Sequence, residues 1–334
     1  MTVNANAQIR AVMAESIAEL LSRPIPQRLW HYTSIQGFQD IVTSKRIFAT
    51  ELRYLNDRHE FHHLKLIADR IVEESPVEET TGLRLREALR LLVEATFDIF
   101  FDPNKFQIFV ASFSAAEDLL SQWRGYSHGS TGVSVGFDMR SIRPPIGSET
   151  LVSFAPCVYE EPEQKALVRD AFNPFKVSVQ AHWKNAYEKA CRVSGEEPPL
   201  HERHSFVQKF FDKNPSEKGS REEFLLAVYK MRQNCFQLAA LLKNPAFAEE
   251  REWRLVLPIL LDPQKKLNNP PRFRVGRSTL LPYISHPFAD TAQIVDVILG
   301  PGSDENSVFA AERFLMSEGT SVKPRTSSVP YRLL

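Results

Sequence analysis

Phe247-Ala-Glu-Glu-Arg-Glu-Trp-Arg254 runs directly into Leu255-Val256-Leu257. An apolar run of this kind reads as a strand, and in a strand alternate side chains share a face. Glu250, Glu252 and Arg254 would then lie together on one side. Like charges at neighbouring same-face positions repel, so a fold selected for stability alone avoids them. One reading makes the pair functional, one carboxylate meeting a ribose hydroxyl while the other orients a nucleophile. The other makes it a solvated strand edge on which Arg254 neutralises both acids.

Strand and helix patterns extend outward from that stretch in both directions. Arg28-Leu-Trp-His-Tyr-Thr33 reads as a short strand, and Ser34 as the cap of a helix whose inward face is Ile35, Phe38, Ile41 and Val42. Residues 58–74 and 80–101 carry helical periodicity, as do 7–22 before Pro24 and Pro26. Further strands are expected at 106–113, 132–137, 152–159, 251–260, 272–275 and 294–299, with helices at 117–126 and 303–317. Residues 162–243 are charge-rich and mostly helical. Strands in both halves with helices between them predict an N-terminal helix over 1–26, then one α+β domain over 27–334. Its central sheet is mixed or antiparallel, with a helical insertion at about 162–243.

The chain has 334 residues, and its 41 basic and 41 acidic side chains cancel, so no global field draws it to nucleic acid or an anionic membrane. Three dispersed cysteines fit reduced thiols. No apolar stretch approaches the roughly twenty residues of a membrane span, and no secretory signal is legible. A cytoplasmic location is the expectation.

His31 closes its strand just before a helix, a place where ligand contacts are common. Trp123 and Tyr126 share a helix face, which serves either core packing or stacking on a flat heteroaromatic ring, with Arg124 beside them to meet phosphate. Lys265, Lys266, Arg272, Arg274 and Arg277 form the one basic cluster, with no acid from Pro263 to Arg277. It reads either as a solvated loop or as a contact for nucleic-acid or cofactor phosphates. His59-Glu60-Phe61-His62-His63 satisfies H-E-x-x-H, but the buried stripe of its helix (Phe61, Leu64, Ala68, Ile71) lies opposite His59 and His63. A zinc hydrolase is thus the weakest of the readings, and no metal is expected.

In chain order, His31-Tyr-Thr-Ser, Leu55-Asn-Asp, Ser112-Phe-Ser, Leu120-Ser-Gln-Trp-Arg-Gly-Tyr126, Gly132-Val-Ser-Val-Gly-Phe137, Phe247 to Arg254 and Leu299-Gly-Pro301 resemble the bacterial family catalogued as domain of unknown function 2971. More distantly, a strand with His, a following helix, an aromatic and a late Glu are similar to the ADP-ribosyltransferase layout. That resemblance implies an ADP-ribosyltransferase-like sheet and NAD as substrate. It makes Glu252 the catalytic carboxylate, has Glu250 orient the acceptor, and sets His31 on the NAD ribose with Tyr32 beside it. Tyr54 or Tyr126 would stack on nicotinamide. Ser112 and Ser114 would form the serine strand, and Trp123 and Arg124 would complete the cofactor pocket. The acceptor would be a protein or nucleic acid, and a toxin or anti-phage role follows by analogy. A non-catalytic nucleotide- or nucleic-acid-binding module is the alternative. The sequence leaves open whether the chain forms a homo-oligomer.

Overall fold

The computed structural model describes residues 13–55, 60–75, 85–126, 131–139, 152–178, 184–196, 209, 213–214, 218–260, 270–276, 279–288 and 293–330. These fall into two compact units. One comprises residues 1–19, 61–105 and 160–239; the other comprises 20–60, 106–159 and 240–334.

The first unit is helical. Its described helices include Glu60–Glu74, Leu85–Phe101, Glu161–Ser178, Lys184–Ser194 and Lys218–Ala239. Leu64, Ala68 and Ile71 are buried, as the periodicity predicts. Phe100 meets Phe236 edge to face, with centroids 4.9 Å apart. The helices expected in 162–243 are thus present, and they group with 61–105. No described helix is long and apolar enough to cross a membrane.

The second unit holds one mixed sheet. Its strands are β1 (Arg28–Thr33), β2 (Arg46–Glu51), β3 (Phe106–Ser114), β4 (Val133–Asp138), β5 (Ser153–Pro156), β6 (Glu252–Leu260), β7 (Arg272–Val275), β8 (Leu280–Pro287), β9 (Ile294–Leu299) and β10 (Arg325–Thr326). All described pairings between these strands are antiparallel except β10 with β9, and an isolated parallel bridge joins Val158 and Leu242. Phe109, Phe113, Trp253, Leu255, Val135 and Phe137 form the core on one face, covered by Phe38, Ile41 and Val42 of helix Ile35–Ser44 and by Leu315 of helix Glu305–Ser317. Ile35, expected to face inward, is 51% exposed, because the buried side of that first turn belongs to Gly37. A Cβ on Gly37 would stand 2.1 Å from Thr33 Oγ1, so only glycine lets the helix start this close to β1.

Strand β3 organises the sheet. On one edge it pairs with β6 along its whole length, from Phe106↔Leu260 to Ser114↔Glu252. On the other edge it meets β1 at Trp30↔Ser114 and β2 at Thr50↔Val110 and Glu51↔Phe109. Between those contacts Ala111, Ser112 and Phe113 have no strand partner on that edge among the described residues. The sheet splits there, with β1, β4 and β9 to one side and β2, β8 and β7 to the other.

Candidate functional site

A cavity of about 1150 Å³ opens at this split. Val110 to Ser114 of β3, Trp30 to Thr33 of β1, Ser34 to Gly37 at the helix start, and Phe48 and Thr50 of β2 line it, with Arg53, Tyr54, Gln122, Glu252 and Arg274. The volume is at the upper end of small-molecule sites.

His31 bridges the split. Its Nδ1 lies 2.8 Å from the Ser112 carbonyl oxygen. A carbonyl can only accept, so Nδ1 carries the proton and Nε2 is an acceptor. Nε2 has no partner among the described residues. Burial lowers the His31 pKa to about 4, with the Ser112 carbonyl opposing and the charge of Arg274 adding to the effect. At neutral pH the ring is uncharged, its tautomer fixed, in the wall of a cavity. Such a group is suited to receive a hydrogen bond from a ligand hydroxyl.

The paired glutamates are placed differently from the expectation. Glu250 ends the 3₁₀ helix Pro245–Glu250, capped by Asn244, and Arg251 at φ 44 then turns the chain into β6. Only Glu252 and Arg254 are strand neighbours. Arg254 pairs with Glu252 through Nε at 2.8 Å and Nη2 at 3.1 Å, and its charge also acts on Glu250. The bridge between the acids is Lys243, whose Nζ lies 2.6 Å from Glu252 Oε2 and also contacts Glu250 Oε2. Glu252 is 3% exposed, so this is no solvated edge. Burial pushes its pKa up, but Arg254 and Lys243 outweigh that and hold it at about 2. Burial raises the Glu250 pKa, and Lys243 only partly opposes it. The Lys243 pKa is raised, because Glu252 and Glu250 outweigh the cost of burial.

Backbone and hydroxyl contacts fix this corner. Ser114 Oγ donates to the Glu250 carbonyl at 2.7 Å and accepts from Ala116 N–H at 3.0 Å. Glu252 N–H donates to Tyr159 Oη at 3.0 Å, and Cys157 N–H donates to the Glu252 carbonyl at 2.8 Å.

Of the residues singled out from the sequence, His31, Tyr32, Tyr54, Ser112, Ser114 and Glu252 line the cavity. Tyr54, 45% exposed, is the accessible aromatic among them. Tyr32 is buried, its hydroxyl donating to the Ala116 carbonyl at 3.0 Å and accepting from Leu119 N–H at 2.9 Å. Trp123 is 0% exposed. Its Nε1–H donates to Asp118 at 2.7 Å and its ring abuts Tyr32. It therefore packs in the core and does not stack on a ligand, because helix Leu120–Tyr126 turns that face onto β1. Arg124 and Glu250 are not among the lining residues. The Tyr126 side chain, His59, Lys265, Lys266 and Arg277 lie outside the described residues. His63 Nε2 lies 3.0 Å from Gln164 Oε1, a hydrogen bond within the helical unit. Among the described residues no three His, Cys, Asp or Glu are grouped to hold a metal ion.

Residues that sequence reasoning missed are Lys243, Asp118 and strand β2. Lys243 follows a long helix in no recognisable motif, and its importance depends on a chain reversal that brings it back to β6.

The model of the family described as "Protein of unknown function (DUF2971)" matches residues 122–255. That segment contains Lys243, Glu250, Glu252 and Arg254 and ends inside β6. No curated protein and no solved structure matches the chain.

Proposed function

We propose that the cavity at the split binds NAD and that the protein cleaves its nicotinamide–ribose bond, as an ADP-ribosyltransferase-like enzyme. The observation that carries this reading is the pairing of an uncharged His31, whose Nε2 has no partner among the described residues, and an ionised Glu252 in the walls of one cavity. His31 Nε2 accepts from a ribose hydroxyl. Glu252 accepts from the neighbouring hydroxyl and favours the positive charge that develops on the ribose as the bond to nicotinamide breaks. The bonding electrons leave with the nicotinamide nitrogen, and the ribose carbon is taken by an acceptor nucleophile or by water. Tyr54 supplies the stacking face for the leaving ring.

A second reading, a binding module without turnover, is favoured by one observation. Both Glu252 oxygens already accept from Arg254 and Lys243, and those two cations offset the field of the carboxylate in the cavity.

The test is nicotinamide release from NAD, with and without cell extract, by the wild type, His31→Ala and Glu252→Gln, each checked for folding by thermal melting. Release lost in folded His31→Ala and Glu252→Gln supports the enzyme. If Glu252→Gln does not fold, His31→Ala decides alone. Dependence on extract would identify a macromolecular acceptor, the premise of a toxin or defence role. Tight NAD binding with no release would establish the second reading. Release that survives in both variants would overturn the site.

A further inference from the structure

The basic stretch after Pro263 is divided in its described part. Arg272 is exposed, whereas Arg274, on the same strand, lines the cavity and is partly buried. Two arginines line this cavity. Arg53 is tied to Glu51 at 2.7 Å and to the Phe106 carbonyl at 2.9 Å. Among the described residues Arg274 donates once, from Nη2 to Thr50 Oγ1 at 2.8 Å, and it lies over the Tyr283 ring at 5.8 Å. No carboxylate among the described residues lies within ion-pair distance of it. Asp40, the other described lining acid besides Glu252, accepts from Gln36 Nε2 at 2.9 Å, and its charge favours the Arg274 cation without pairing with it.

A guanidinium has five donors in a flat fork suited to phosphate. Donors of Arg274 that no described residue takes are open to an anion entering the cavity, which would meet a charge already held in place by Thr50. The hairpin keeps it there. Gly276 N–H donates to the Thr279 carbonyl at 2.8 Å, and a Cβ on Gly276 would stand 2.7 Å from Leu281 Cγ, so β7 and β8 close tightly at the cavity. Ile35 and Gln36, which also line the cavity, open helix Ile35–Ser44, whose N-terminus favours negative charge.

We propose that Arg274 is the phosphate-recognising residue of this cavity and that the ligand it selects carries a diphosphate. This deepens the NAD reading and rests on it for the identity of the ligand, but not for the anion subsite.

The test is calorimetric titration of the full chain with inorganic diphosphate, ADP and a short single-stranded oligothymidylate, comparing wild type, Arg274→Met and Thr50→Val. Arg274→Met should weaken diphosphate and ADP about tenfold or more, and Thr50→Val, which frees the guanidinium without removing it, about threefold. If Arg274→Met does not fold, the Thr50→Val shift carries the test. Unchanged affinities in the folded variants, or no binding of diphosphate and ADP to the wild type, would overturn the proposal. So would oligothymidylate binding more tightly than ADP, which would assign the subsite to a nucleic-acid backbone. Arg274-dependent diphosphate binding without nicotinamide release would support the subsite and sink the enzyme. NAD cleavage with unchanged KM in Arg274→Met would do the reverse.

Discussion

The two edges of β3 put the same strand to opposite uses. One edge is zipped to β6 from Phe106 to Ser114, and its end is locked by buried charges, Glu252 held by Arg254 and Lys243. The other edge is left open from Ala111 to Phe113, and a side chain, His31, takes the hydrogen bond that a neighbouring strand would have taken at Ser112. Closed pairing yields stability, and of the described β6 residues only Glu252, at its end, lines the cavity. The open edge gives up ladder bonds, and the space between β1 and β2 becomes a cavity with backbone at its floor.

Breaking the closed edge should have the largest effect. Lys243→Met leaves the buried Glu252 and the partly buried Glu250 without the cation they share, and loss of one partner from such a group costs about 3–5 kcal/mol. Urea unfolding should show it, and a loss under 1 kcal/mol would mean that Lys243 is dispensable there.

Acid titration probes the same edge without mutation. The Glu252 pKa in the folded chain is depressed from 4.5 to about 2, so its stabilisation is full above pH 4.5 and is lost as the pH falls toward about 2. That amounts to roughly 3 kcal/mol. Glu250 has a raised pKa and acts in the opposite sense, so the net loss is smaller than Glu252 alone would give. In Glu252→Gln the fall in stability over this range should flatten.

On the open edge the effects should move from stability to binding. His31→Ala removes one hydrogen bond of about 1 kcal/mol but should lower NAD affinity at least about tenfold, read by calorimetry. Gly37→Ala should cost about 1–2 kcal/mol, as Thr33 must shift away from a Cβ built 2.1 Å from its Oγ1. Tyr54→Ala, at an exposed position, should leave stability within about 0.5 kcal/mol and weaken NAD by a few-fold. An affinity unchanged in Tyr54→Ala would remove the stacking role.

Much of the closed edge was legible in the sequence. The apolar runs 106–113 and 251–260 declare themselves as buried strands, and Ser34 announces the helix that follows β1. The open edge was only half legible. His31 stood out by its position at a strand end, but the split needs β2 and β8, which were not foreseen. β2 begins at Arg46, one residue beyond the helix, after the left-handed turn at Lys45. β8 carries Pro282 and Pro287, residues that argue against a strand inside a sheet. Lys243 was invisible for a different reason. A charge-neutralising contact is set by where the chain returns, and neither periodicity nor motif encodes it. Trp123, which the sequence allowed either in the core or as a stacking face, packs against Tyr32.

The central claim is that an uncharged His31 offers Nε2 to a ligand hydroxyl at the open edge. Its most direct test is an imidazole ¹⁵N spectrum of the protein at pH 6, before and after addition of NAD. The account predicts a neutral ring protonated at Nδ1, with the Nε2 resonance shifting when NAD is added and Nδ1 staying in place. A protonated ring at that pH, or an Nε2 resonance indifferent to saturating NAD, would contradict it.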